Sequence, residues 1–150
     1  MDRAIRQLFA PARTFAHVLS STPRGARLAR LLAVAELRSW GVPQDLTERA
    51  ELVVAELAAN AVLHGSPPGR RVRLVLVYDP PARRLRVEVT DARGGLAPPP
   101  HATAAEPDAL RTGGRGLSLV TALVDHWDVV PHPHGGKTVR AVLSERTPRT

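Results

Sequence analysis

Hydrophobic residues recur along this chain with two different periods, and the switch between them falls near residue 70. After Thr22-Pro23, the residues Leu28, Leu31, Leu32, Ala35 and Leu37 fall at helical intervals. Thr22 suits the N-cap of that helix and Pro23 its first position. Trp40-Gly41 marks its end, with Gly41 fit for the left-handed residue that closes many helices. A second helix is expected after Pro43, where Asp45 and Glu48 have the spacing of a capping box. Leu46, Ala50, Val53, Leu57 and Ala61 carry its apolar stripe to Gly65, and Ser66-Pro67-Pro68-Gly69 stops it. From 71 to 91 the period falls to two. Val72, Leu74, Leu76 and Tyr78 alternate with Arg71, Arg73, Val75 and Val77. Beyond the turn at 79–82, Leu85, Val87 and Val89 alternate with Arg84, Arg86, Glu88 and Thr90. Two such runs predict an antiparallel hairpin with an arginine-studded wet face and an apolar face that helices must cover.

The remainder is less regular. Residues 14–21 lean towards a first strand or an arm, and 94–114, rich in Pro and Gly, predict a long irregular segment of the kind that usually serves function. Leu117, Val120, Leu123 and Val124 predict a third helix from about 117 to 126. Two strands near 127–131 and 137–144 follow, joined through His132-Pro133-His134-Gly135-Gly136. The order predicts an α+β fold, a two-layer sandwich. Its sheet is expected to be mixed but mostly antiparallel, covered on one face by about three helices. With 150 residues, the whole of 1–150 is expected to be a single domain.

Composition narrows the function. There is no cysteine, which removes disulfides, thiolate metal sites and thiol catalysis. No apolar run approaches the length of a membrane span, and the first residues do not resemble a secretory signal, so a cytoplasmic protein without membrane attachment is expected. The net charge of +7 comes from 21 basic and 14 acidic residues, and every basic residue but Lys137 is arginine. Direct nucleic-acid binding is not expected. Two Trp, one Tyr and two Phe are too few for a base-stacking platform, and no helix-turn-helix or zinc-finger pattern is present.

Three groups of residues could carry chemistry. Asp91 is in phase with Leu85, Val87 and Val89, so the strand aims a carboxylate at the apolar layer, where it must find donors. It could equally cap the loop that follows. Glu56 and Asn60 are four apart and share a helix face, with His64 continuing the line. A glutamate can accept a proton, and an asparagine oxygen suits a hard cation that also holds phosphates. As an isolated pair they also read as an ordinary surface Glu and a backbone-satisfying Asn. Gly113-Gly114-Arg115-Gly116 opens the third helix, where free backbone N–H groups favour phosphate oxygens and Arg111 and Arg115 add positive charge. By itself a glycine-rich helix start is common.

In combination these segments resemble the ATPase superfamily shared by gyrase, heat-shock chaperones and histidine kinases, the GHKL group with the Bergerat ATP-binding fold. Residues 56–65, Glu-Leu-Ala-Ala-Asn-Ala-Val-Leu-His-Gly, look like its N-box. Asp-Ala-Arg-Gly-Gly at 91–95 resembles the first glycine box, Gly-Arg-Gly-Leu at 114–117 the second, and Gly-Gly-Lys-Thr-Val at 135–139 the closing Gly-Thr strand. The motifs stand in family order over 46–143. Small size and the wording of the N-box are closest to the bacterial anti-sigma-factor serine kinases.

The resemblance implies a role for each residue. Asn60 would ligate Mg²⁺ on the ATP phosphates, with His64 at the edge of the site. Asp91 would recognise the adenine amino group, helped through water by Thr138. Gly95 would admit the base, and Gly114, Arg115, Gly116 and Leu117 would form the phosphate cradle, with Arg111 as a candidate γ-phosphate contact. The stretch 96–113 would be the lid, and Glu56 the general base. The cofactors implied are ATP and Mg²⁺. The implied activity is a serine/threonine protein kinase acting on an anti-sigma-factor antagonist, working as a homodimer and also sequestering a sigma factor. A non-catalytic module of the same fold, binding ATP or partners alone, is the alternative. One departure stands out: Arg93 occupies the first glycine position of the box, where its Cβ makes φ > 0 costly. Relatives in this branch tolerate that loss, which implies altered nucleotide affinity with binding retained.

Overall fold

The structure, a computed structural model, describes residues 3–65, 70–91, 115–133 and 135–146. Helix α1 (Arg3–Phe9) leads into strand β1 (Arg13–Ser20), followed by α2 (Pro23–Ser39) and α3 (Gln44–Gly65). Strands β2 (Arg71–Asp79) and β3 (Arg84–Asp91) form the expected hairpin, and α4 (Arg115–Leu123), β4 (His126–Pro131) and β5 (Lys137–Ser144) complete the order. The five strands form one sheet in the order β1-β2-β3-β5-β4. Every pairing in it is antiparallel, so the expectation of a mixed sheet is corrected. Helix α1 was not foreseen, because seven residues carry too short a pattern to reveal a stripe.

Alternation decides which face is covered. Val72, Leu74, Leu76 and Tyr78 of β2 are buried with Leu85, Val87 and Val89 of β3 and Ala141 and Leu143 of β5. Helices α2, α3 and α4 lie on that face, and α3 supplies Leu46, Ala50, Val53, Val54, Leu57, Ala58 and Ala61. The opposite face carries exposed Arg71, Arg73, Arg84 and Arg86, together with the Arg140–Asp128 ion pair. It is a sheet wet on one side.

Two helix boundaries show what local chemistry decides. Thr22 caps α2 as expected, its hydroxyl accepting from the Gly25 N–H at 3.0 Å, with Pro23 first in the helix. Gly41 closes the end at φ 71. Helix α3 begins after Pro43 as expected, at Gln44, but its cap differs: the Pro43 carbonyl accepts the first helical bond from Thr47. Asp45 therefore sits inside the first turn, where it holds Arg49 at 3.1 Å instead of capping.

The buried stripe of α2 also departs from the expected one. Gly25, Ala29, Ala33 and Leu37 face the core, whereas Leu28 and Leu31 are 44% and 59% exposed. Close packing selects small residues over large ones here. A Cβ on Gly25 would lie 1.9 Å from the carbonyl oxygen of Ser20, so only glycine lets α2 start so near β1.

Candidate functional site

Arg49 orients the helical layer. Its guanidinium is almost fully buried and donates to the Leu123 carbonyl at the end of α4 and to the Ser144 carbonyl at the end of β5. Ser144 pairs with Arg84, so the first turns of α3 and the last of α4 lie at the Arg84 end of the sheet. The Asn60 end of α3 and the start of α4 must then lie at the other end, where β3 finishes at Asp91. On α3, the residues Arg49, Val53, Glu56 and Asn60 follow at i, i+4, i+7 and i+11, one stripe along the flank that faces α4. The sequence thus brings Glu56, Asn60, Asp91 and the N-terminus of α4 to one end of the sandwich.

Most of the predicted residues lie in the described part. Glu56 and Asn60 are half-buried, and His64 lies in the last turn of the same helix, its side chain outside the described part. Asp91 is 2% exposed, in phase with Leu85, Val87 and Val89, as alternation predicted, and it ends the strand. Arg115 and Gly116 open α4, and Leu117 follows with its side chain buried in the core. Gly95, Arg111 and Gly114, the lid stretch 96–113 and Arg93 lie outside the described residues.

Thr138 is placed differently from the expectation. In the β3–β5 register Asp91 faces Lys137, and Thr138 faces Thr90. Directly opposed residues share a face of the sheet and their neighbours take the other. The Thr138 hydroxyl accordingly shares hydrogen bonds of 2.7 Å with Thr90 Oγ1 and 2.7 Å with His132 Nε2, on the face away from the helices. Lys137 takes the position beside Asp91. The turn before β5 sets this register. Gly135 and Gly136 adopt φ 99 and 85, which other residues resist, and His132 bonds back to Gly136 at 3.0 Å. Counting back by twos from Leu143, Ala141 and Val139 was the signal that could have found Lys137.

The donor set is made of oxygens. Among the described residues no group of three or more His, Asp or Glu could hold a metal ion. A divalent cation would need Asn60 together with phosphate oxygens, which suits a hard ion that keeps a mixed shell. By contrast, a cavity of about 630 Å³ lined by Arg6, Arg13, Trp40, Tyr78, Arg83 and Glu145 lies at the opposite end of the sheet. It contains none of these groups. There the Tyr78 hydroxyl donates to Glu145 at 2.6 Å, and burial, reinforced by that carboxylate, pushes the phenol well above its ordinary range.

The sequence matches the histidine kinase-like ATPase domain family over residues 19–143. The chain belongs to that family. No curated protein sequence matches it. Among solved structures it is similar to the RsbU and RsbW domains of Rv1364c from Mycobacterium tuberculosis, with TM-score 0.66 and 20% identity. The likeness covers 93% of this chain and 34% of that one, so this chain spans about a third of its structural relative. That likeness is one of fold, and membership of an ATPase-domain family supports ATP binding. No helix among the described residues is long and apolar enough to cross a membrane.

Proposed function

We propose that this domain is an ATP-dependent serine/threonine protein kinase of the anti-sigma-factor type, acting on a serine-bearing antagonist protein in the cytoplasm. The observation that carries the reading is the gathering of Glu56, Asn60, Asp91 and the start of α4 at one end of the sheet. In this reading, Asp91 accepts from the amino group of the base. Asn60 offers its side-chain oxygen to Mg²⁺, and the N–H groups at the start of α4, with Arg111 and Arg115, neutralise phosphate charge. The resemblance gives Gly95, Gly114 and Gly116 the part of admitting the nucleotide, and the stretch 96–113 that of a lid. Mg²⁺-ATP supplies the phosphoryl group. Glu56 accepts the proton from the serine hydroxyl as that oxygen bonds to the γ-phosphorus and ADP leaves.

Support comes from the family membership, from the likeness to a structure that includes an RsbW domain, and from the resemblance of the N-box to anti-sigma-factor kinases. Sigma-factor sequestration and homodimer formation belong to the same proposal. The test is transfer of label from γ-labelled ATP to the antagonist proteins of the same organism. Labelled serine on one of them is expected with the wild-type chain and none with Glu56→Ala. Unlabelled antagonists throughout, with intact ATP binding and partner capture, would make it a binding module.

A further inference from the structure

The position that faces Asp91 across the strands holds the only lysine of the chain. We infer that Lys137 is a base-reading residue, donating to N1 of a 6-aminopurine while Asp91 accepts from its 6-amino group. This rests on the nucleotide site proposed above and gives Lys137 the part beside Asp91 that the resemblance to the Gly-Thr strand implies for Thr138.

Three observations carry it. The register puts the two residues directly opposite each other, with Cβ atoms about 5 Å apart as in any such pair. Lys137 is in phase with Val139, Ala141 and Leu143, whose side chains pack on the helix side, and it is itself half-buried. The Thr138 hydroxyl, engaged by Thr90 and His132 on the other face, lies on the wrong side of the strand to assist Asp91.

The chemistry of the pair follows from its atoms. A carboxylate only accepts and an ammonium only donates. Side by side they complement an edge that presents a donor next to an acceptor, which adenine does with its 6-amino group and N1. Hypoxanthine and guanine reverse that order, with an acceptor at position 6 and a donor at N1, and meet the pair mismatched at both atoms. Lys137 thus replaces a water-mediated contact with a charged one.

The test is calorimetric affinity for ATP, 1-deaza-ATP (N1 replaced by C–H) and inosine triphosphate, on wild type, Lys137→Met, Lys137→Thr and Asp91→Asn, each checked for folding by circular dichroism. For wild type, ATP is expected to bind on the order of tenfold or more tighter than 1-deaza-ATP, the worth of a hydrogen bond to a charged group. In both Lys137 variants that preference should shrink to about twofold or less, as the donor to N1 is gone. An unchanged preference in both variants, or tighter ATP binding once Lys137 is removed, would overturn the inference and show that the ammonium only occupies Asp91. If ATP binding is lost in Asp91→Asn while the Lys137 variants keep the wild-type preference, this inference fails and the nucleotide site stands. Absence of ATP binding to the wild type overturns both.

Discussion

At the scale of single residues, the buried carboxylate of Asp91 matters most, and phase alone revealed it. Three valines and leucines at every second position fix the covered face of β3, and the next residue in step is the aspartate. The same counting on β5 identifies Lys137, but the threonine of the Gly-Thr motif was carried over by letter instead of by phase. Glu56 was legible as a neighbour of Asn60 on one helix face, though its function depends on α4, which the helical period does not position. Replacing Glu56 by Ala is expected to abolish phosphoryl transfer while nucleotide affinity, measured by calorimetry, stays within about twofold, since a base that acts only in the transition state adds little to ground-state binding. A large loss of affinity instead would make Glu56 a ligand-holding group.

At the scale of elements, two contacts hold the helices where the site needs them. The Arg49 guanidinium ties α3 to the ends of α4 and β5 through two carbonyls and is held in turn by Asp45. Arg49→Met keeps much of the volume but leaves those partly buried carbonyls short of a donor, at a cost of about 1–3 kcal/mol. Urea unfolding should register it as a lower midpoint with an unchanged slope; an unaltered midpoint would mean that water substitutes fully. Gly25 governs the join of β1 and α2. Gly25→Ala forces a methyl onto the Ser20 carbonyl and should destabilise by about 1–3 kcal/mol, visible as a reduced Tm. An equal or raised Tm would show that α2 can retreat from the strand without loss. This contact also explains why leucine spacing is only partly right: Leu32 and Leu37 pack on the core, but Leu28 and Leu31 stay exposed because a close approach favours the glycine and alanine line at 25, 29 and 33. The start of α3 after Pro43 was legible, but its Asp45 cap was not, since a proline carbonyl can accept the first helical bond as well as any other.

For the whole molecule, element order and period foretold the helix-covered sheet, because the change from a period of 3.6 to 2 is set by which atoms must leave water. They did not foretell that every strand pairing is antiparallel, nor that α3 and α4 run so that Asn60 and the start of α4 meet at the Asp91 end. That orientation depends on Arg49 reaching carbonyls 74 and 95 residues away in the sequence, beyond the reach of any local pattern. The arrangement divides the sandwich into two ends. One gathers the oxygens and helix start suited to a nucleotide, and the other holds the arginine-lined cavity around Tyr78 and Glu145. The central claim is that the Asp91 end binds nucleotide through the base and through magnesium. Calorimetry with ATP, with and without Mg²⁺, on wild type and Asp91→Asn tests it most directly. Mg²⁺-dependent binding to the wild type is expected, with at least about a tenfold loss in the variant once circular dichroism shows its fold retained. Undiminished affinity in Asp91→Asn would contradict it.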